Sequence, residues 1–188
     1  MRIVSLVFAA TLLAGSLFGD PITYYAYLDF NESPVTNSPG TGYALVTIDT
    51  TAHILALDVT FSGLLGNTTA SHIHCCTAIA GVGNVGVATV TPNFTGFPLG
   101  VTSGSYSHSF DTTLASAFNP SFVTAQGGIP QAEAALASGI AAGKAYLNIH
   151  TSQFPGGEIR GVLAPVPEPG TFLLAGMALV GLIAWRRR

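Results

Sequence analysis

Two of the five histidines, His72 and His74, stand two residues apart in the run Ser71-His72-Ile73-His74-Cys75-Cys76. On a β-strand that spacing projects both rings from one face while Ile73 points to the other. Two imidazoles so placed, joined by a third from another strand, could hold copper or zinc. His150 is the third: Tyr146, Asn148 and His150 alternate with Ala145, Leu147 and Ile149, which puts it on a polar face. Further candidate ligands are Cys76, which strand alternation would place on the His72/His74 face, and His108, with His53 at the start of a strand. Rings sharing an ion should bring their nearest nitrogens within about 3–5 Å, because each metal–nitrogen bond is ~2.0–2.1 Å. Thr151, Asn148 and Glu158 are the nearest outer acceptors by sequence. The competing reading is a structural network, each ring bonded separately to a Thr, Asn or Glu of the same surface.

The only two cysteines are adjacent. Disulfide Cα separations favour ~4.4–6.8 Å and a trans peptide fixes ~3.8 Å, so bonding between neighbours is uncommon. Three readings stay open for Cys75 and Cys76: a vicinal disulfide, soft ligands beside His74, or a link to another chain. Glu158 and Arg160 are also two apart, and on one strand face they would form a structural ion pair. No Gly-x-Ser-x-Gly, Walker loop or close carboxylate pair with an acid/base role occurs.

The elements that would position these residues are strands. In 53–61, Leu55, Leu57, Val59 and Phe61 share one face and Ile54, Ala56, Asp58 and Thr60 the other. The run 42–50 pairs with it through the turn-like Asp49-Thr50-Thr51-Ala52. Further strands are expected at 22–30, 70–75, 84–91, 104–112, 144–150 and 158–163, with Gly, Pro, Asn and Ser between them. The Ala-rich stretch 130–136, opening on Pro130, predicts one short helix. Alternation places Ile73 and Ile149 in the core, with the histidines outside it. About eight short strands and one helical crossover predict an all-β Greek-key sandwich.

Residues 1–19 carry one basic residue, Arg2, then an apolar run and small residues at Ala14, Gly15, Ser16 and Gly19, the pattern of a secretory signal peptide. Removing those 19 residues and the 24 at 165–188 leaves 145, enough for one core. That body, 20–164, has only Lys144 and Arg160 against eight acids, about −6, which excludes a nucleic-acid footprint. At 171–185 a second apolar run follows Pro167-Glu168-Pro169 and precedes Arg186-Arg187-Arg188. Fifteen helical residues span about 22 Å against a ~30 Å hydrocarbon core. The arginines would hold the cytoplasmic side, leaving the body outside the membrane.

The order Pro-Glu-Pro, short apolar segment and terminal arginines over 166–188 resembles the PEP-CTERM sorting signal of Gram-negative bacteria. The resemblance implies recognition by an exosortase-type membrane protease-transpeptidase, transient anchoring, and release or attachment at the cell surface. It also implies a setting in which exopolysaccharide is made.

Ser71-His72-Ile73-His74, then Tyr146-Leu147-Asn148-Ile149-His150-Thr151, then Gly157-Glu158-Ile159-Arg160-Gly161 resemble the chordin-type (CHRD) domain over roughly 22–164. That resemblance implies an immunoglobulin-like sandwich similar to copper/zinc superoxide dismutases and an exported setting, without an established activity. The leading expectation is a non-enzymatic surface or matrix domain. Its rival is a copper or zinc protein using His72, His74 and His150.

Overall fold

The computed structural model describes residues 21–31 and 35–166. The signal peptide expected at 1–19 and the membrane helix expected in the tail lie outside the described residues. Eight strands form two sheets: β1 (Ile22–Leu28), β2 (Thr41–Asp49), β3 (Ile54–Ser62), β4 (Thr68–Cys75), β5 (Gly104–Asp111), β6 (Ala145–Thr151), β7 (Ile159–Val162) and β8 (Ala164–Pro165). One sheet runs β5-β3-β2-β1-β8 and the other β4-β6-β7. The chain passes between sheets at β3–β4, β4–β5, β5–β6 and β7–β8, so the expected all-β sandwich forms with crossing connections and no closed barrel.

Period-two patterning sets the register. Across β2 and β3, Ala44 faces Val59, Val46 faces Leu57 and Ile48 faces Leu55, and all six side chains are buried between the sheets. The β2–β3 link closes on Asp49, whose Oδ1 accepts from the Thr51 and Ala52 backbone N–H groups at 2.8 Å each. From the second sheet Ile73, Leu147, Ile149 and Ile159 complete the core, each 0 % exposed.

Two elements depart from the alternation. Residues 84–91 form no strand; they carry the isolated bridges His74–Val87 and Thr89–Phe118. Two of their carbonyls go to side chains, Val85 O to the His74 ring and Val87 O to Asn119 Nδ2. The helical region is longer than expected and has two helices, α1 (Pro120–Gln126) and α2 (Ile129–Ala141). The Asn119 side chain caps α1 by accepting from the Ser121 N–H at 2.9 Å. Gly127, at φ 92°, ends it in the left-handed region that glycine enters freely. Among the described residues no helix is long and apolar enough to cross a membrane.

Candidate metal centre

His72 and His74 leave β4 on the face turned away from the core, opposite Asn148 and Tyr146 of β6. His150 stands opposite Ala70, one diagonal step from His72, where long side chains on adjacent strands meet. That outward face is covered rather than solvated. The segment between β4 and β5 runs along the free edge of β4, with Cys75 N donating to Gly86 O, Ala88 N to Ile73 O and Phe94 N to Ser71 O, and its Val85 and Pro92 carbonyls reach over to the rings. His72 and His74 are consequently 6 % and 8 % exposed, and His150 is partly buried.

Each ring is anchored by one nitrogen to a backbone carbonyl. His72 Nε2 bonds Pro92 O at 2.7 Å, His74 Nδ1 bonds Val85 O at 2.7 Å, and His150 Nδ1 bonds Pro155 O at 2.9 Å. A carbonyl only accepts, so the nitrogen facing it carries the proton; the tautomer follows from the partner. The opposite nitrogens, His72 Nδ1, His74 Nε2 and His150 Nε2, are buried and have no hydrogen-bond partner among the described residues. One ligand atom from each ring lies within 4.8 Å of the others. Nitrogens sharing one tetrahedral ion sit about 3.4 Å apart, so small ring movements close the set.

The electrostatics favour bare nitrogens. Burial pushes the His72 pKa down to about 4 against the opposing pull of the Pro92 carbonyl, with His150 and His74 adding repulsion. Burial does the same to His74, also to about 4, opposed by Val85 O and aided by His150 and Arg160. His150 is lowered by burial as well. Neutral imidazoles with one N–H on a carbonyl and one lone pair turned inward are the ligand form that copper and zinc take. Three buried, unpartnered lone pairs therefore fit such an ion. Tyr146 stacks on His74 with centroids 4.8 Å apart, and the Arg160 guanidinium lies 4.8 Å from the Tyr146 ring centre.

The outer acceptors differ from those expected. Thr151 and Glu158 serve another network, and backbone carbonyls take the role; carbonyls carry no residue-type signature, which is why sequence pattern misses them. Asn148 does stand beside the rings, with its Nδ2 on Gly156 O at 3.4 Å and its Oδ1 unpartnered.

Other candidates lie elsewhere. Cys75 and Cys76 are joined in a disulfide, which removes Cys76 as a thiolate ligand. Strand β4 ends at Cys75, so alternation does not carry Cys76 to the histidine face. Both sulfurs pack on α2, where Cys76 Sγ is 3.6 Å from Ala135 O. His108 is on the edge strand β5, exposed, between Tyr106 and Phe110, and outside the cluster. His53 Nδ1 pairs with buried Glu133 of α2 at 2.9 Å, and Thr112 donates to the same carboxylate.

The expected Glu158–Arg160 ion pair is not formed. Glu158 precedes β7 and is 0 % exposed. Its carboxylate accepts from Ser38 Oγ at 2.6 Å, Leu65 N at 2.5 Å, Gly66 N at 3.1 Å and Thr151 Oγ1 at 2.7 Å. Burial raises its pKa, but these donors together outweigh that and hold it below the usual carboxylate range. Arg160 turns the other way, to Asn31 O and Asn84 Oδ1 at 2.7 Å each. The sorting-signal residues Pro167, Glu168, Pro169, Arg186, Arg187 and Arg188 lie outside the described residues.

Comparison with known families agrees with the motifs. The CHRD domain model matches residues 25–163, and the PEP-CTERM protein-sorting motif matches residues 165–188. No curated protein and no solved structure matches the chain. The tail motif implies export, transient membrane anchoring and processing by an exosortase-type enzyme. The first match spans most of the chain and every residue of the histidine site, so the protein belongs to the CHRD domain family and carries a PEP-CTERM protein-sorting motif.

Proposed function

We propose that the protein is an exported surface or matrix domain that holds one copper or zinc ion on His72, His74 and His150. The observation that carries this reading is three buried imidazole nitrogens without partners, on three rings that each bring one ligand atom within 4.8 Å of the others. Buried polar atoms are nearly always satisfied, and three neutral acceptor nitrogens cannot satisfy one another. A purely structural network would have used the second nitrogens too. An all-imidazole set suits copper and zinc, with copper(II) the tighter binder by intrinsic affinity.

The remainder of the reading follows the two family matches. Residues 1–19, by their charge and apolar pattern, direct export; 20–164 form the working domain, and 165–188 anchor the chain until an exosortase-type enzyme separates it. Extracellular polysaccharide or matrix is the partner in that setting. The role we read for the domain is binding. Elemental analysis after exhaustive dialysis tests the metal directly: one copper or zinc per chain is expected in the parent and none in His72→Ala. Metal-free parent protein, unchanged in stability by chelator, would return the histidines to a structural role.

A further inference from the structure

Asn148 is 2 % exposed and sits across from His72 on one side and Arg160 on the other. Alternation along β6 turns its side chain to the face of Tyr146 and His150. Its Nδ2 points at Gly156 O at 3.4 Å, which sets the amide, since the flipped form would oppose two acceptors. The buried Oδ1 then has no donor among the described residues. The site thus holds four unpartnered acceptors, three nitrogens and one amide oxygen.

An ion on the histidines satisfies the nitrogens only. Amide carbonyls suit hard cations such as magnesium and calcium, whereas copper and zinc prefer imidazole. Three protein ligands leave the fourth position of such an ion to an outside molecule, ordinarily water. That ligand, resting on the three-histidine reading above, brings the donor that Oδ1 needs. We propose that Asn148 is a positioning residue for this fourth ligand: Oδ1 accepts its proton, so the site favours a proton-bearing ligand over an anion that has no proton to give, such as azide.

The test uses the copper(II)-loaded protein titrated with azide, read by the charge-transfer absorption that azide adds. Asn148→Leu keeps the size and removes the acceptor. One net hydrogen bond is worth ~0.5–1.5 kcal/mol, and about 1.4 kcal/mol is tenfold, so azide should bind about 2–10 times more tightly in the variant. Copper stoichiometry should stay at one per chain. Equal azide affinity in parent and variant, both holding copper, overturns the role of Asn148 alone. A parent that holds no copper after dialysis overturns the histidine site and this inference together. Should Asn148→Leu fail to fold, Asn148→Ala, which also removes the acceptor, is titrated in its place: tighter azide binding than in the parent supports the role and equal affinity overturns it.

Discussion

His72 and His150, on neighbouring antiparallel strands with ring centroids 5.2 Å apart, are anchored alike, each donating to the carbonyl of a proline, Pro92 and Pro155. Proline has no N–H to offer, so near each ring the backbone supplies an acceptor without a competing donor at that residue. Both rings are thereby held in one tautomer, with the other nitrogen left as a buried lone pair.

Acid should weaken the metal-free protein in a defined window. His72 and His74 have folded-state pKa values of about 4, below the ordinary imidazole value of 6.5. Between those values the unfolded chain binds more protons, so stability rises with pH there. The contribution is complete above pH ~6.5 and is lost as pH falls toward 4. Urea unfolding midpoints from pH 7.5 to 4 check this; a flat profile across the window would show the rings to be solvated.

Glu158 should be among the costliest single positions. Glu158→Leu leaves the Ser38, Thr151, Leu65 and Gly66 donors buried without their acceptor, for a loss of about 3–5 kcal/mol. Arg160→Ala, which removes contacts to Asn31 and Asn84 at the surface, should cost under about 1.5 kcal/mol. The carboxyl pKa is depressed, so its stabilisation is present above the unfolded value of ~4.3 and fades as pH falls through the folded one. Equal losses in the two variants would point to an ion pair after all.

Much of this was readable from residue order. Alternation located seven of the eight strands to within a few residues, because a sheet buried on one face repeats every two positions. It also put Ile73 and Ile149 inside and the three histidines on one outer face. It failed at 84–91, where Val85, Val87 and Thr89 alternate as a strand would but cover the histidines as a loop. It failed also at Glu158, since i, i+2 alternation says nothing about a residue just before a strand begins. The carbonyl anchors at Val85, Pro92 and Pro155 had no residue-type signal at all.

Gly139 reports on the disulfide. A Cβ built there would overlap both Cys75 Sγ and Cys76 Sγ. In an unconstrained helix Gly→Ala is stabilising by up to ~1 kcal/mol. Here Gly139→Ala should instead destabilise by about 1–3 kcal/mol through overpacking. Thermal unfolding gives the sign, and a stabilised variant would mean that the sulfurs do not rest on α2.

In a cell that owns the matching enzyme, the tail should be removed. Mass spectrometry of the surface or secreted form is expected to place its C-terminus near residues 165–170, at the start of the sorting motif. Extracellular protein still ending in Arg188 would contradict processing.

The ligand set itself is the central claim, and X-ray absorption at the copper or zinc edge of the dialysed, metal-loaded protein reads it directly. The prediction is three imidazole nitrogens and one further oxygen or nitrogen at ~2.0–2.1 Å, with no sulfur at ~2.3 Å, and a lost imidazole in His150→Ala. A sulfur shell, or fewer than three imidazoles in the parent, would contradict the account.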